Sequence, residues 1–315
     1  ILNVLPLHHV HGIVNILSCA LWNGAICEFL PKFDAQQVWN LFRLGNINLF
    51  MAVPTIYSKL IQFWEDAQSE EKEKMTNALG KFRLMVSGSA ALPVSFLEKW
   101  QQISGHILLE RYGMTEIGMA ISNPYDSERK AGFVGKPLPT VSVRLVDDTD
   151  DLARAGMSGE IQIKGPSIFK GYWQKPGATQ EAFTPDGWFK TGDIATLENG
   201  YYKILGRNSV DIIKSGGYKI SALAIEEALR QHPDIQECAV VGIPNEEWGE
   251  VIVASIISST LQAENLANLG NWAKNYLPSY QIPRHFILLN SLPRNTIGKI
   301  TKNELKTMLV EKYEI

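Results

Sequence analysis

Over its first 130 residues the chain alternates short apolar runs with segments of helical periodicity, and this alternation restricts the possible folds most strongly. Residues 48–53 predict a strand and residues 55–68 predict a helix with one apolar face. A second strand at 83–86 precedes another helix, and a third strand is predicted at 107–109. Strand–helix–strand units of this kind build parallel sheets, so we predict an α/β fold.

The pattern changes twice further along the chain. From about Gly132 to Leu205, strand-like runs are bounded by turn residues, which indicates a more antiparallel, β-rich subdomain. After Gly206 the alternation of helix and strand returns, and the sequence Thr301-Lys302-Asn303-Glu304 has the pattern of a capping box that opens a last helix. We therefore predict a small α+β domain from about residue 210 onward.

Composition excludes several classes of protein. Lysine and arginine total 30 against 33 acidic residues, so no excess of positive charge favours nucleic acid or an anionic membrane as the main partner. No apolar stretch reaches the roughly 18 residues that a transmembrane segment needs. Cys19, Cys27 and Cys238 lack metal-site or disulfide spacing, and we expect them to be reduced core residues. Because the chain starts at Ile1 in a strand-like segment, we expect it to be the C-terminal part of a longer protein.

Five short motifs carry the chemistry. The first, Glu110–Glu116, follows a strand and is expected on a loop at the strand's carboxyl end, where open α/β sheets bind ligands. Each motif alone is a weak signal, but five in this order and at these spacings are not expected by chance. The other four are Gly159-Glu160-Ile161 with Gly165 and Gly171-Tyr172, Trp188–Asp193, Gly206-Arg207 with Asp211–Tyr218, and Pro293–Lys299.

Together these motifs resemble the adenylate-forming superfamily of acyl-CoA synthetases, peptide-synthetase adenylation domains and luciferases. The resemblance covers essentially the whole chain and is closest to the malonate–CoA ligases, in particular to their animal mitochondrial branch. It implies that residues 1–206 are the C-terminal portion of an AMP-binding domain, that 207–211 form a hinge, and that 212–315 form a small mobile domain. It also implies a mitochondrial ligase of fatty acid and lipid metabolism.

The implied reaction has two halves. A carboxylate, malonate or methylmalonate, attacks the α-phosphate of ATP and gives an acyl-adenylate and pyrophosphate. The small domain then rotates, and the thiol of coenzyme A displaces AMP. The implied cofactors and co-substrates are therefore ATP, Mg²⁺ and coenzyme A.

The resemblance assigns nucleotide-binding roles that suit the chemistry of the residues. Small side chains at 88–90 let the backbone approach the adenine base, and the Tyr112 ring can lie on it. Asp193 can accept hydrogen bonds from both ribose hydroxyls, and Arg207 is a fixed cation near ribose or phosphate. The implied ATP-binding residues are Gly88, Ser89, Ala90, Glu110, Arg111, Tyr112, Gly113, Asp193 and Arg207.

The implied catalytic residues are Thr115, Glu116 and Lys299. Thr115 offers a hydroxyl to phosphate, and Glu116 offers the hard oxygen ligand that Mg²⁺ prefers. Lys299 can bring a positive charge to the α-phosphate as negative charge develops there. The thiolation region, near which the thiol must arrive, is implied at Ser215, Gly216, Gly217 and Tyr218.

The acyl pocket is implied at His9 and His11, in a stretch that borders this pocket in the family. A second carboxylate on the substrate is costly to desolvate, so a malonate pocket needs a cation. Lys59 and Arg129 are the candidates, whereas a fatty-acid pocket would be an apolar tunnel. A medium-chain fatty acyl-CoA synthetase is therefore an alternative.

Two features depart from the superfamily pattern. The glycine-rich loop that cradles the β- and γ-phosphates is not found in these 315 residues, so we expect it upstream and expect this chain alone to be inactive. The hinge is one residue longer than usual, and either Ser209 or Val210 could be its pivot. The missing loop also leaves open a non-catalytic protein that binds adenylate or coenzyme A.

Overall fold

The computed structural model describes residues 1–295 and 298–313 of the chain. Within those residues, seven strands form a first sheet in the order β2-β1-β3-β4-β5-β6-β7. The five strands from β2 to β5 are mutually parallel, whereas β6 and β7 run antiparallel, which confirms the predicted α/β fold. The strands are β1 (Leu2–Asn3), β2 (Glu28–Phe29), β3 (Leu49–Ala52), β4 (Leu84–Ser87), β5 (Leu109–Met114), β6 (Gly118–Ser122) and β7 (Lys136–Pro137).

Helices cover both faces of this sheet. On one face, Phe50 and Met85 join a core rich in aromatic side chains, and on the other face Met51 and Val86 pack with Ile16. Successive residues of a strand point to opposite faces, which explains this division. The elements are a π-helix (His11–Ser18), α1 (Cys19–Trp22), α2 (Ala35–Leu44), α3 (Pro54–Asp66), α4 (Ser69–Leu79) and α5 (Val94–Ser104).

The predicted β-rich region forms a separate antiparallel sheet. In the part of the chain that the structure describes, four strands form this sheet in the order β11-β10-β9-β8, followed in sequence by the third sheet. Its strands are β8 (Ser142–Val146), β9 (Gly159–Lys164), β10 (Phe189–Glu198) and β11 (Tyr201–Arg207), and α6 (Pro176–Ala182) lies between β9 and β10 in sequence.

The third sheet and its helices form what we call the C-terminal unit, from Ile212 onward. Strand β15 pairs with β12, β14 and β16, and β13 lies outside β12. Ser221 caps α7 by accepting from Ala224 N–H, and Thr301 donates to Glu304 in the predicted capping box. The elements are β12 (Ile212–Ser215), β13 (Tyr218–Ser221), α7 (Ala222–Leu229), β14 (Glu237–Asn245), β15 (Gly249–Ile257), α8 (Leu266–Ala273), β16 (His285–Leu288) and α9 (Lys302–Tyr313), with 3-10 turns at Ala263–Asn265 and Ser279–Gln281.

Two expectations from the sequence were wrong. The motif Glu110–Glu116 is not a loop, because its first five residues belong to β5 and pair with β6 in a hairpin. Of the cysteines, only Cys238 lies in the core; Cys19 is exposed and Cys27 is half-buried. None of the described helices is both long enough and apolar enough to cross a membrane.

An apolar surface near the start of the chain has no covering element among the described residues. Ile13, Leu21, Trp22 and Ile26 are exposed there, Trp22 to 91%.

Candidate active site

The candidate site lies where β4 and β5 end. These parallel strands are neighbours, so their carboxyl ends bring the segment after Ser87 next to the second half of β5. A side chain at Gly88 would place its Cβ 3.5 Å from the Arg111 carbonyl oxygen, which shows how closely the two segments approach. The predicted residues Gly88–Ala90 and Glu110–Gly113 are thus brought together.

Asp193 links β5 to the second sheet. The Tyr112 hydroxyl donates to Asp193 Oδ2 at 2.6 Å, and Arg207 Nε donates to Asp193 Oδ1 at 3.0 Å. The antiparallel pairing of β10 with β11 places Asp193 directly opposite Arg207. Three residues predicted from separate motifs therefore form one contact group.

The charges in this group support one another. Burial and then the Asp193 carboxylate raise the pKa of Tyr112, so its hydroxyl stays a donor. The hydrogen bond to Asp193 raises the pKa of Arg207, which stays a cation. Gly192 N–H donates to Glu160, and Asn208 N–H donates to the Gly192 carbonyl, which fixes the backbone beside Asp193. The contact group therefore offers a polar ligand the oriented carboxylate of Asp193 and the positive charge of Arg207.

The segment after β4 is held in a strained conformation. Ser89 has a φ of 69°, which is uncommon for a residue with a side chain. Glu110 Oε1 accepts from Leu92 N–H at 3.2 Å and so fixes the far end of the segment. Burial raises the pKa of Glu110 to about 8. Glu110 therefore stabilises the conformation of the loop after β4. Backbone strain such as that at Ser89 is typical of binding sites.

A second group of side chains, which we call the open cluster, consists of His11, Ser89 and Arg111. His11 Nδ1 lies 3.0 Å from Ser89 Oγ, while His11 Nε2 is buried and has no hydrogen-bond partner among the described residues. Arg111 Nη2 contacts the sulfur of Met51 at 3.2 Å, and Arg111 Nε is also buried with no partner in the described part of the chain. The open cluster thus has donors that no described protein group satisfies.

Electrostatics keep the His11 ring neutral. Burial, followed by the charge of Arg111, lowers the pKa of His11 to about 3. Burial lowers the pKa of Arg111 to about 10, which still leaves it protonated at neutral pH. At pH 7 the open cluster therefore carries one positive charge, on Arg111.

Glu116 and Thr115 occupy the turn between β5 and β6. Thr115 is exposed, and Glu116 Oε1 accepts from the Tyr172 hydroxyl at 3.1 Å. No group of three or more His, Cys, Asp or Glu side chains that could hold a metal ion occurs in residues 1–295 and 298–313. A cation at Glu116 would therefore need further ligands from a bound phosphate and water.

Lys299 lies on a loop that approaches the first sheet. A Cβ at Gly298 would be 3.4 Å from the Thr55 hydroxyl, at the start of α3. Lys299 N–H donates to Asn295 Oδ1, which closes the loop, and the Lys299 side chain is exposed. Thr296 and Ile297 of the predicted motif lie outside the described residues. The structure thus places the Lys299 loop against the large sheet's helix layer.

The predicted thiolation residues form the turn of the β12–β13 hairpin. Gly216 and Gly217 both have positive φ values, 56° and 81°. Ser215 is buried, whereas Tyr218 is exposed and stacks on Tyr280 with ring centroids 4.5 Å apart. The hairpin therefore presents a polar turn with an aromatic platform beside it.

Of the residues predicted for the acyl pocket, Lys59 and Arg129 contact groups outside the open cluster, whereas His9 lies near enough to His11 for its charge to help lower the pKa of His11. Arg129 instead donates to the carbonyls of Pro124, Tyr125 and Ile107, which lies at the opposite end of β5. The exposed Lys59 ammonium lies 5.8 Å from the centre of the Phe33 ring, outside the open cluster. His9 precedes the π-helix and is half-buried; its carbonyl accepts from Ile13 N–H.

The sequence analysis gave no role to Tyr172 or to a buried group of charged residues. Tyr172, whose hydroxyl donates to Glu116, was named only as part of a Gly-Tyr pair. The other group, which we call the paired cluster, consists of Lys302, Asp211 and Glu226: Lys302 Nζ lies 2.7 Å from a carboxylate oxygen of each acid. In the sequence, Asp211 was marked as part of the hinge motif and Lys302 as part of the capping pattern, but no periodicity connects residues so far apart in the chain.

Comparison with known protein families finds two matches, which follow one another along the chain and leave residues 174–223 between them. The AMP-binding enzyme family matches residues 1–173, and the AMP-binding enzyme C-terminal domain matches residues 224–299. The mitochondrial malonate–CoA ligase ACSF3 of Xenopus laevis is 50% identical over 97% of this chain and 57% of its own length. The chain thus spans somewhat more than half of this relative.

A solved structure from Rhodopseudomonas palustris is similar over nearly the whole chain. ATP-bound MatB is 36% identical, covers 99% of this chain and has a TM-score of 0.90, and the chain covers 60% of that protein. The same protein without ATP, compared over the same share of the chain, has a TM-score of 0.74.

Proposed function

Since this chain belongs to the family of AMP-binding enzymes, we propose that its gene product is a malonate–CoA ligase that works through a malonyl-adenylate. The observation that carries this proposal is the contact group of Tyr112, Asp193 and Arg207 beside a strained loop that ends β4. The name of the similar Xenopus protein supports malonate as the acid and mitochondria as the compartment. Malonyl-CoA would then enter lipid and fatty acid metabolism.

We propose that residues 1–206 and 212–315 move as two bodies about a hinge at 207–211. Asp211 N–H donates to the Arg207 carbonyl at 2.7 Å, and Asp211 Oδ2 accepts from Arg207 N–H. These two hydrogen bonds join the ends of segment 207–211, so the hinge with its additional residue forms a turn. The greater similarity to the ATP-bound than to the ATP-free MatB structure supports an arrangement ready for the first half-reaction.

In that first half-reaction, a carboxylate oxygen of malonate attacks the α-phosphorus of ATP, and the bond to the pyrophosphate oxygen breaks. Asp193 would hold the ribose hydroxyls, and Tyr112 would face the adenine. Lys299, on the loop against Thr55, would neutralise the charge that develops on the α-phosphate. Positioning and charge stabilisation supply most of the catalysis in such transfers.

The donor set at the β5–β6 turn fits Mg²⁺. Mg²⁺ is usually held by one or two carboxylates together with substrate phosphates and water. Glu116 supplies one carboxylate, oriented by Tyr172, and Thr115 adds an exposed hydroxyl nearby. When bound, the ion would screen the phosphate charges that otherwise repel the attacking carboxylate.

In the second half-reaction, the thiol of coenzyme A attacks the acyl carbonyl, the bond to the phosphate oxygen breaks, and AMP leaves. Rotation about the hinge would replace the Lys299 loop at the site by the hairpin turn Ser215–Tyr218. The two glycines keep this turn free of side chains, so a thiol can approach its backbone.

The first experiment measures AMP formation by the complete gene product with a panel of carboxylates. We expect malonate or methylmalonate to be the preferred acid. Preference for a medium-chain fatty acid would favour the alternative ligase, and absence of AMP formation with every acid would reject the proposal in favour of a binding protein.

The second experiment separates the two half-reactions. Lys299→Ala should lower malonate-dependent pyrophosphate exchange by about 10² to 10³, the cost of losing a cation that stabilises developing charge. Conversion of supplied malonyl-adenylate to malonyl-CoA should be little affected. Lys312→Ala, an exposed lysine in the last turn of α9, is the matched control. Equal loss of both half-reactions in Lys299→Ala would reject this role.

A further inference from the structure

Helix α7 of the C-terminal unit contacts residues 1–206 at two points. Its N-cap residue, Ser221, donates from Oγ to the Leu205 carbonyl of β11 at 2.5 Å. Further along the helix, Glu227 Oε1 accepts from the Ser95 N–H of α5 at 3.4 Å. One contact is to the second sheet and the other is to a helix that covers the first sheet. Together they fix how α7 lies on the larger part of the chain.

The N-terminus of α5 is suited to an acid from another element. Pro93 stands at the N-cap position, and a proline side chain cannot accept a hydrogen bond. The Pro93 carbonyl accepts from the N–H groups of Phe96 and Leu97, at 3.1 Å each. The first N–H groups of a helix have no partner within it and carry partial positive charge. The Glu227 carboxylate supplies Ser95 N–H with both an acceptor and a negative charge.

Glu227 also lies near the loop after β4. Burial is the main cause that raises the pKa of Glu110 to about 8, and the nearby Glu227 carboxylate adds to it. Glu110 Oε1 accepts from Leu92 N–H, three residues before Ser95. Two acids, one on each side of the hinge, therefore hold the segment that runs from the strained Ser89 into α5.

The neighbour of Glu227 connects α7 to the Lys299 loop. Glu226 Oε1 lies 2.7 Å from Lys302 Nζ, and both side chains are buried. Lys302 begins α9 only three residues after Lys299. Because this buried ion pair joins the two helices, α7 and the start of α9 move together. The position of α7 on α5 therefore determines where the Lys299 loop meets Thr55.

We propose that Glu227 is a positioning residue, which docks the C-terminal unit on the N-terminus of α5 and thereby places Lys299 for the first half-reaction. This inference rests on the proposed ligase function. The rotation proposed for the second half-reaction carries α7 away from α5, so the contact is made only in the first arrangement. A contact made in one of two arrangements shifts the balance towards that arrangement by its own free energy.

A second ion pair, between Lys219 of β13 and Asp148, also joins the C-terminal unit to residues 1–206. Its side chains are 47% and 75% exposed, and ion pairs as exposed as this contribute little. The Glu227 side chain is 30% exposed, and Arg230 Nη1 lies 3.7 Å from its second oxygen. We therefore expect Glu227 to contribute more to docking than Asp148 does.

The test measures the two half-reactions separately in the complete gene product, as malonate-dependent pyrophosphate exchange and as conversion of supplied malonyl-adenylate to malonyl-CoA. Glu227→Ala should lower pyrophosphate exchange about 10-fold, the loss expected for one partly exposed, charge-assisted hydrogen bond. The second half-reaction should be unchanged or faster. Glu227→Gln keeps an oxygen that can accept from Ser95 N–H, and its loss should be about 3-fold.

Two further variants sharpen the test. Glu311→Ala removes an exposed acid from α9 of the same unit and should change neither half-reaction. Asp148→Asn should lower pyrophosphate exchange less than Glu227→Ala does, and a larger loss in Asp148→Asn would overturn the proposal. If Glu227→Ala does not fold, a loss confined to pyrophosphate exchange is required of Glu227→Gln.

Failure of this inference is distinguishable from failure of the proposed function. If Glu227→Ala lowers both half-reactions equally, Glu227 stabilises the fold of the C-terminal unit, and if it lowers neither, the contact does not dock the unit. Either result rejects the inference while the ligase stands. If the wild-type protein catalyses no pyrophosphate exchange with any acid, the proposed function itself is wrong and the inference falls with it.

Discussion

The open cluster and the paired cluster are both groups of charged side chains withdrawn from water, but they differ in whether their charges are matched. In the paired cluster, Lys302 lies between Asp211 and Glu226, and Glu226 also accepts from Val240 N–H. In the open cluster, none of the described residues gives Arg111 an acidic partner or His11 Nε2 a hydrogen-bond partner. The comparison shows that the charges of the paired cluster are matched within the described chain, whereas the charge of the open cluster is not.

The titration behaviour of the two clusters follows from this difference. Burial alone lowers the pKa of Lys302, but Glu226 and Asp211 outweigh burial and raise it. For His11, burial is the largest effect and the charges of Arg111 and His9 add to it, so the pKa of His11 falls to about 3. In the paired cluster, the two acids therefore stabilise the protonated form of Lys302. In the open cluster, burial and the charge of Arg111 stabilise the neutral form of His11.

The largest expected effect is on the paired cluster. Lys302→Met removes the cation between the half-buried Asp211 and the buried Glu226, which keeps a longer ion pair with Arg230, and should lower the free energy of unfolding by about 3–5 kcal/mol. Urea unfolding of the complete gene product, followed by a probe in the C-terminal unit, measures this loss. Lys306→Met, on the same helix, breaks a more exposed pair with Glu250 and should cost less than about 1 kcal/mol. Equal effects of the two substitutions would contradict the account.

A smaller effect is expected from His11 in acid. Because its pKa is about 3 in the folded protein and near 6.5 when unfolded, below pH 6.5 the unfolded chain binds a proton that the folded one does not. Stability should therefore fall as pH drops from 6.5 towards 3, by about 2 kcal/mol at pH 5. His11→Asn should remove this fall in stability between pH 6.5 and 3. Above pH 7.5, where His11 is neutral in both states, the substitution should not alter how stability depends on pH. An unchanged acid slope in urea titrations would show that His11 is not the group responsible.

An effect of the opposite sign is expected from removing Arg111 without a ligand. Arg111→Met takes away a buried charge that has no ion-pair partner among the described residues, so the free energy of unfolding should not fall and should rise by up to about 1–4 kcal/mol. Thermal unfolding of the two proteins side by side measures the difference. A loss as large as that of Lys302→Met would mean that Arg111 is structural.

The sequence predicted the framework well because periodicity and caps are local signals. The strands β3 and β4 and the helix α3 lie within two residues of their predicted bounds. The predicted capping box at Thr301 is present. By contrast, Glu110–Met114 was placed on a loop, because its pairing with β6 depends on a hairpin that the sequence of the motif does not indicate.

The sequence predicted which residues belong to the candidate site, but it did not predict which groups each of them contacts. The motifs named Tyr112, Asp193 and Arg207, and the structure brings them into contact. Arg129 was a reasonable cation by charge alone, yet its guanidinium is taken up by backbone carbonyls. Which cation remains unpaired depends on the face of the strand and on neighbours distant in sequence, and neither is visible in a local pattern.

The most direct test of the central claim is equilibrium binding of two hydrolysis-resistant acyl-adenylate analogues, sulfamates that carry a malonyl or a 3-methylbutanoyl group. Calorimetric titration of the complete gene product should show about 100-fold tighter binding of the malonyl analogue than of the 3-methylbutanoyl analogue, as a site that pairs a second carboxylate with a cation requires. Equal affinity for the two analogues, or tighter binding of the 3-methylbutanoyl analogue, would contradict the proposed malonate–CoA ligase.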